Sequence, residues 1–115
     1  MAAGLQSADV TIIDMREFPL PLFCEDISNA QISESARELK QLFLETDGFI
    51  FACPEYNGTM TPLLNNLCAW MSRPFSKDEP LYAAFKGKFA MLTSTSPGVY
   101  VWVSEWVTDW LTVLY

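Results

Sequence analysis

Residues 48–74 read GFIFACPEYNGTMTPLLNNLCAWMSRP, and this stretch decides the fold. Phe49 to Cys53 (FIFAC) is a short, uncharged apolar run, the pattern of a strand buried on both faces of a parallel sheet. Pro54 ends it. The loop PEYNGT then combines a rigid proline, a carboxylate, an aromatic ring and Asn57-Gly58, a pair that readily adopts positive φ. Thr61-Pro62 reads as a helix start, a hydroxyl cap followed by proline at the first helical position. Leu63, Leu64, Leu67, Trp70 and Met71 recur at helical spacing, and Arg73-Pro74 stops the helix. The order strand, loop, helix puts PEYNGT beyond the carboxyl end of a strand, where open α/β sheets bind ligands.

The flanks extend the same alternation. Toward the amino end, Ser33 opens a helix with Glu34 in its first turn and Ala36, Leu39, Leu42 and Phe43 on one face. It ends near Thr46, and Asp47-Gly48 breaks it. Val10 to Met15 (VTIIDM) is β-branched and apolar and predicts another buried strand. Between the two, REFPLPLFCEDIS carries Pro19 and Pro21, which neither a helix interior nor a central strand tolerates, so an ordered loop is expected. Toward the carboxyl end, Ser76 to Pro80 is a charged turn, and Lys86 and Lys88 read as surface charges flanking Gly87. Phe89 to Leu92 is a third buried strand, ending at TSTSPG, residues 93–98. Such alternation predicts one α/β domain with a parallel sheet and helices on both faces. From Val99 to Leu114, Val99, Trp102, Val103, Trp106, Val107, Trp110, Leu111 and Leu114 match a core-facing helix; the Val, Thr and Trp content leaves a strand or a disordered tail open.

Composition narrows the function classes. The 115 residues hold 50% hydrophobic side chains, ample for one core. Seven Lys and Arg stand against fourteen Asp and Glu, a net charge of −7 that repels nucleic-acid backbones and anionic lipid. No apolar run has transmembrane length, so neither nucleic acid nor membrane is an expected partner. There is no histidine, and Cys24, Cys53 and Cys68 show no metal-ligand spacing, which fits a reducing cytoplasm. Cys53 and Cys68 read as structural thiols, and no acid-base dyad is visible.

The segment ACPEYNGTMTPLLNNLCAWMSRP resembles the signature loop and helix of the NADPH-dependent FMN reductase family, which includes azoreductase and quinone-reductase members. Ile13-Asp14-Met15-Arg16 with the Pro-Leu-Pro-Leu run and Glu25-Asp26 is similar to the family's second strand and following loop, and Ser94, Ser96, Pro97 and Gly98 to the loop after its fourth strand. The resemblance implies a flavodoxin-like α/β/α fold. It implies that Pro54, Glu55, Tyr56, Asn57 and Gly58 line the isoalloxazine ring of FMN, largely through backbone groups, with Ser94, Ser96 and Gly98 bordering it. It further implies hydride transfer from NADPH through FMN to a flavin, quinone or azo acceptor, with the flavin carrying the redox chemistry. The resemblance implies a dimer, a homo-oligomer with the helix after the loop in or near the interface, which would bring Leu67, Trp70 and Met71 close to a partner chain, although core packing serves Leu67 at least as well.

Two departures from the family pattern shape the expectations. No segment rich in Gly, Ser, Arg and Asn precedes Val10, so the phosphate-binding loop and the first strand of a 2-1-3-4-5 sheet are expected to be missing, as are the fifth strand and last helix. The chain is therefore expected to be a truncated reductase. A catalytically silent interaction module remains open beside the enzyme, and an electron-transfer flavodoxin fits the acidic charge but fits PEYNGT less well.

Overall fold

A computed structural model describes residues 8–26 and 31–95. Helix α1 spans Glu34–Glu45, strand β1 Gly48–Ala52, β2 Glu55–Tyr56, β3 Thr59–Met60, helix α2 Pro62–Ser72 and strand β4 Phe89–Thr93. Both helices begin where their caps place them: the Ser33 hydroxyl accepts the Ala36 N–H and the Thr61 hydroxyl accepts the Leu64 N–H. Each satisfies one of the amide donors that an α-helix leaves free at its start. Arg73 ends α2 in extended backbone, as the residue before a proline prefers.

β1 and β4 pair in parallel, with Gly48 opposite Phe89 and Ala52 opposite Thr93. The two strands approach closely at Gly48, where an added Cβ would lie 3.0 Å from the Phe89 carbonyl oxygen. Partner residues in this register share a face, so Phe49 and Phe51 lie on one side and Ile50, Met91 and Phe89 on the other. The first side packs on α1: the Phe43 ring stacks on Phe49 at 4.6 Å and meets Phe85 edge-on at 5.7 Å. Ala36, Leu39, Leu67, Trp70, Met71 and Ala84 complete the same core.

The second side is bare among the described residues, with Phe89 86% exposed and Ile50 and Met91 near half. The described helices therefore cover one face of the sheet, and any layer on the other lies outside the described residues. The apolar helix read over 99–114 also lies outside them.

Val10 to Met15 corrects the sequence reading. It is not a strand: the backbone is irregular and Ile12 is 84% exposed. Only Ile13 and Met15 reach the core. A strand needs a neighbour to pair its backbone groups, and no described strand runs beside this segment. It ends in an exposed turn where Arg16 grips both Asp14 carboxylate oxygens, holding that carboxyl down at about 2.

Over its described part, residues 16–26, the proline-rich loop is held by α2. The Trp70 indole N–H and the Asn66 amide both donate to the Pro21 carbonyl, at 2.8 and 3.0 Å, while the Asn66 carbonyl accepts the Phe23 N–H. Leu67, Trp70 and Met71 are all buried in this chain's own core, the last two nearly completely, so their side chains do not form an exposed surface for a partner.

Two lysines replace the capping that sequence leaves unstated. Lys40 is 3% exposed; its ammonium donates to the Met71 and Arg73 carbonyls at the end of α2 and pairs with Glu79 at 2.6 Å. Lys88, expected as a plain surface charge, donates to the Phe43 and Leu44 carbonyls at the end of α1. Burial lowers both ammonium pKa values.

Candidate functional site

PEYNGT forms a miniature hairpin. β2 and β3 pair antiparallel, with Glu55 opposite Met60 and Tyr56 opposite Thr59. Asn57 and Gly58 turn between them at φ 55° and 76°, the two positive values that a tight two-residue hairpin turn requires. The Gly58 N–H donates to Glu55 Oε1 at 3.2 Å, so a carboxylate braces the turn from within. Asn-Gly between Tyr56 and Thr59 is itself a hairpin signal, and the segment read as a plain loop is this hairpin.

The hairpin is tied to the loop after β4. The Cys53 N–H donates to the Thr93 carbonyl at 2.9 Å, continuing the parallel ladder one step past β1. The Glu55 N–H then donates to the Thr95 carbonyl at 3.0 Å. The two loops singled out from sequence therefore meet at the carboxyl edge of the sheet. Pro54, Tyr56 and Asn57 are exposed there, and Glu55, Gly58 and Ser94 are partly buried. Ser96 and Gly98 lie outside the described residues.

These loops suit a flat, neutral ligand. Tyr56, 55% exposed, offers an aromatic wall, and Gly58 lets backbone approach without a side chain. Glu55 Oε2 is buried with no hydrogen-bond partner, behind the turn that Oε1 braces. A flat aromatic ring system such as isoalloxazine fits the exposed Tyr56 face and the Gly58 backbone. A phosphate does not: residues 53–58 and 93–95 carry no Lys or Arg, and the start of α2 already spends its Leu64 amide on Thr61.

Elsewhere, a cleft of about 290 Å³ is lined by Phe23, Glu25, Ile32, Trp70, Arg73 and Phe75 among others. It shares no residue with the two loops. The guanidinium of Arg73 is already paired with Glu25 at 2.8 Å. Among the described residues no cluster of His, Cys, Asp and Glu could hold a metal, and no helix is long and apolar enough to cross a membrane.

One feature of the site went unread in the sequence: Cys53 Sγ lies 3.4 Å from both the amide nitrogen and the hydroxyl of Thr61. A cysteine at a strand end and a threonine eight residues on, at a helix cap, was the available signal.

Comparison with known proteins supplies the lineage. Over 79 residues the chain is 34% identical to a 2-hydroxy-1,4-benzoquinone reductase of Burkholderia sp., covering 69% of this chain and 40% of that protein. It is 32% identical over 79 residues to an NAD(P)H-dependent FMN reductase of Pseudomonas aeruginosa, with the same coverage. An NADPH:quinone oxidoreductase of Arabidopsis thaliana is 39% identical over 57 residues, 49% of this chain and 29% of its own length. The alignments thus span about two fifths or less of each relative. No solved structure matches. The family model described as NADPH-dependent FMN reductase matches residues 1–111, almost the whole chain, and the parallel β1–β4 pair with its connecting helix is consistent with that family's flavodoxin-like fold. The chain belongs to the NADPH-dependent FMN reductase family.

Proposed function

We propose that this chain carries the flavin-ring site of an FMN-dependent NAD(P)H oxidoreductase, formed by Pro54, Glu55, Tyr56, Asn57, Gly58 and Ser94, with Ser96 and Gly98 beside it. The observation that carries this reading is the Glu55 to Thr95 backbone bond, which brings both loops to one edge of the sheet. If bound there, FMN would supply the two-electron redox chemistry between NAD(P)H and an acceptor. The chain's own groups would bind and orient the ring: Tyr56 would flank it, the Asn57-Gly58 turn would present backbone, and Glu55 braces that turn. Positioning of this kind needs no general base, in keeping with loops that hold no acid-base pair.

The family description favours NADPH, and relatives named for quinone reduction favour a quinone-class acceptor over a flavin or azo compound. Three unpaired cysteines suit a reducing cytoplasm. A homo-oligomer would use the exposed side of α2, where Leu63 is 52% exposed, and not the buried Trp70 and Met71.

Titrating the purified chain with FMN and, separately, riboflavin, following flavin fluorescence, tests this reading. Saturable one-to-one quenching is expected with both. Because the described loops offer the phosphate nothing, the two dissociation constants should agree within about threefold, a difference of roughly 0.7 kcal/mol. Absence of saturable quenching by the folded chain overturns the flavin site and leaves a silent interaction module. FMN binding hundreds of times tighter than riboflavin would place the dominant contact on the phosphate.

A further inference from the structure

The geometry points to Cys53 as a positioning residue that clasps the base of the ring-contacting hairpin. This rests on the flavin site proposed above. The hairpin leaves the sheet at Cys53 and enters α2 at Thr61, and those two residues meet. Cys53 Sγ accepts the Thr61 N–H at 3.4 Å and lies 3.4 Å from the Thr61 hydroxyl, each within range for a sulfur hydrogen bond. The Thr61 hydroxyl in turn accepts the Leu64 N–H at 3.3 Å, so the thiol, the helix cap and the first turn of α2 form one connected set.

The arrangement closes the seven residues Pro54 to Met60 into a loop fastened at three levels. The Cys53 N–H to Thr93 bond anchors the entry to the sheet. The thiol joins entry to exit. The Glu55 carboxylate braces the tip through Gly58. Cys53 is 7% exposed, so water competes weakly for these bonds. The side chain touches no ligand; it acts by fixing where Tyr56 and the Asn57-Gly58 turn stand relative to Ser94. A second buried thiol, Cys68, lies further along α2 and is not part of the clasp.

Three variants test this: Cys53→Ala, Cys53→Ser and, as control, Cys68→Ala. Amide hydrogen exchange is read at Gly58 and Thr61 against the amides of α1, and riboflavin affinity is read alongside. Cys53→Ala should speed exchange at Thr61 by about fivefold to tenfold relative to α1, the loss expected for one hydrogen bond, and weaken riboflavin by a similar factor. Cys53→Ser keeps an acceptor and should fall between Ala and wild type. Cys68→Ala should loosen helix and hairpin together, leaving their ratio at the wild-type value. An unchanged Thr61-to-α1 ratio in Cys53→Ala overturns the clasp, as does a Cys53→Ser that behaves like Ala. Should wild type take up no riboflavin, the flavin site falls, and the exchange ratio alone still decides the clasp.

Discussion

Val10–Met15 and Phe49–Cys53 look alike as sequence, two short β-branched or aromatic runs each followed by a proline-containing loop, yet only the second yields a strand. Phe49 and Phe51 rest on Phe43 of α1, while the backbone of β1 is paired along its length with β4. Val10–Met15 has Ile13 and Met15 on the core but no described strand beside it, and Ile12 projects into solvent. An apolar run reports the capacity to be buried. Whether it becomes a strand is settled by a partner for its backbone groups.

The difference can be broken by mutation. Phe43→Ala removes the ring on which β1 stands and should cost about 3–5 kcal/mol of unfolding free energy in a urea titration. Ile12→Ala, the matching truncation in the other run, should cost less than about 0.5 kcal/mol. Similar losses at the two sites would mean that Val10–Met15 is buried in a sheet after all.

A smaller effect is expected at Lys40, which joins α1 to the end of α2. Lys40→Met leaves the Met71 and Arg73 carbonyls without their donor and the Glu79 carboxylate without its cation, for a loss of about 2–4 kcal/mol. An unchanged urea midpoint would show that water replaces the ammonium without cost.

Alkaline pH probes the same core more gently. Burial, with a lesser contribution from Cys53, pushes the Cys68 thiol from 9.0 up to about 12. Its folded value is raised, so the stability it contributes is complete below pH 9 and is lost between pH 9 and 12, on the order of 1 kcal/mol per pH unit. The fall in urea midpoint from pH 9 to pH 10.5 should therefore be shallower in Cys68→Ala than in wild type. Equal slopes would place the thiol in contact with water. Least of all should change at Asp14→Asn, which removes an exposed ion pair at the end of the unpaired run and should leave the urea midpoint where it stands.

What sequence made legible follows from how local each determinant is. Ser33, Thr61-Pro62 and Arg73-Pro74 mark helix ends through bonds made within a turn, and all three stand where the sequence puts them. The parallel pairing of FIFAC with FAMLT was also readable, because the helix between them enforces it. Lys40 was missed although it sits with Ala36, Leu39 and Phe43 on one helical face, a spacing that flags a buried cation. Its reason for being there, the carbonyls at the end of α2, lies more than thirty residues away. At the candidate site the Asn-Gly turn was legible from its own chemistry. The Glu55 to Thr95 bond and the Cys53 to Thr61 clasp were not, since each depends on how separate elements come together.

In the proposed site a flavin ring sits between the hairpin and the loop after β4. Following backbone amide resonances of the isotopically labelled chain during a riboflavin titration tests it most directly. Shifts should concentrate at Glu55, Tyr56, Asn57, Gly58, Ser94 and Thr95, with α1 little affected. Shifts centred on Phe23, Arg73 and Phe75 in the separate cleft, or no saturable shifts at all, would contradict it.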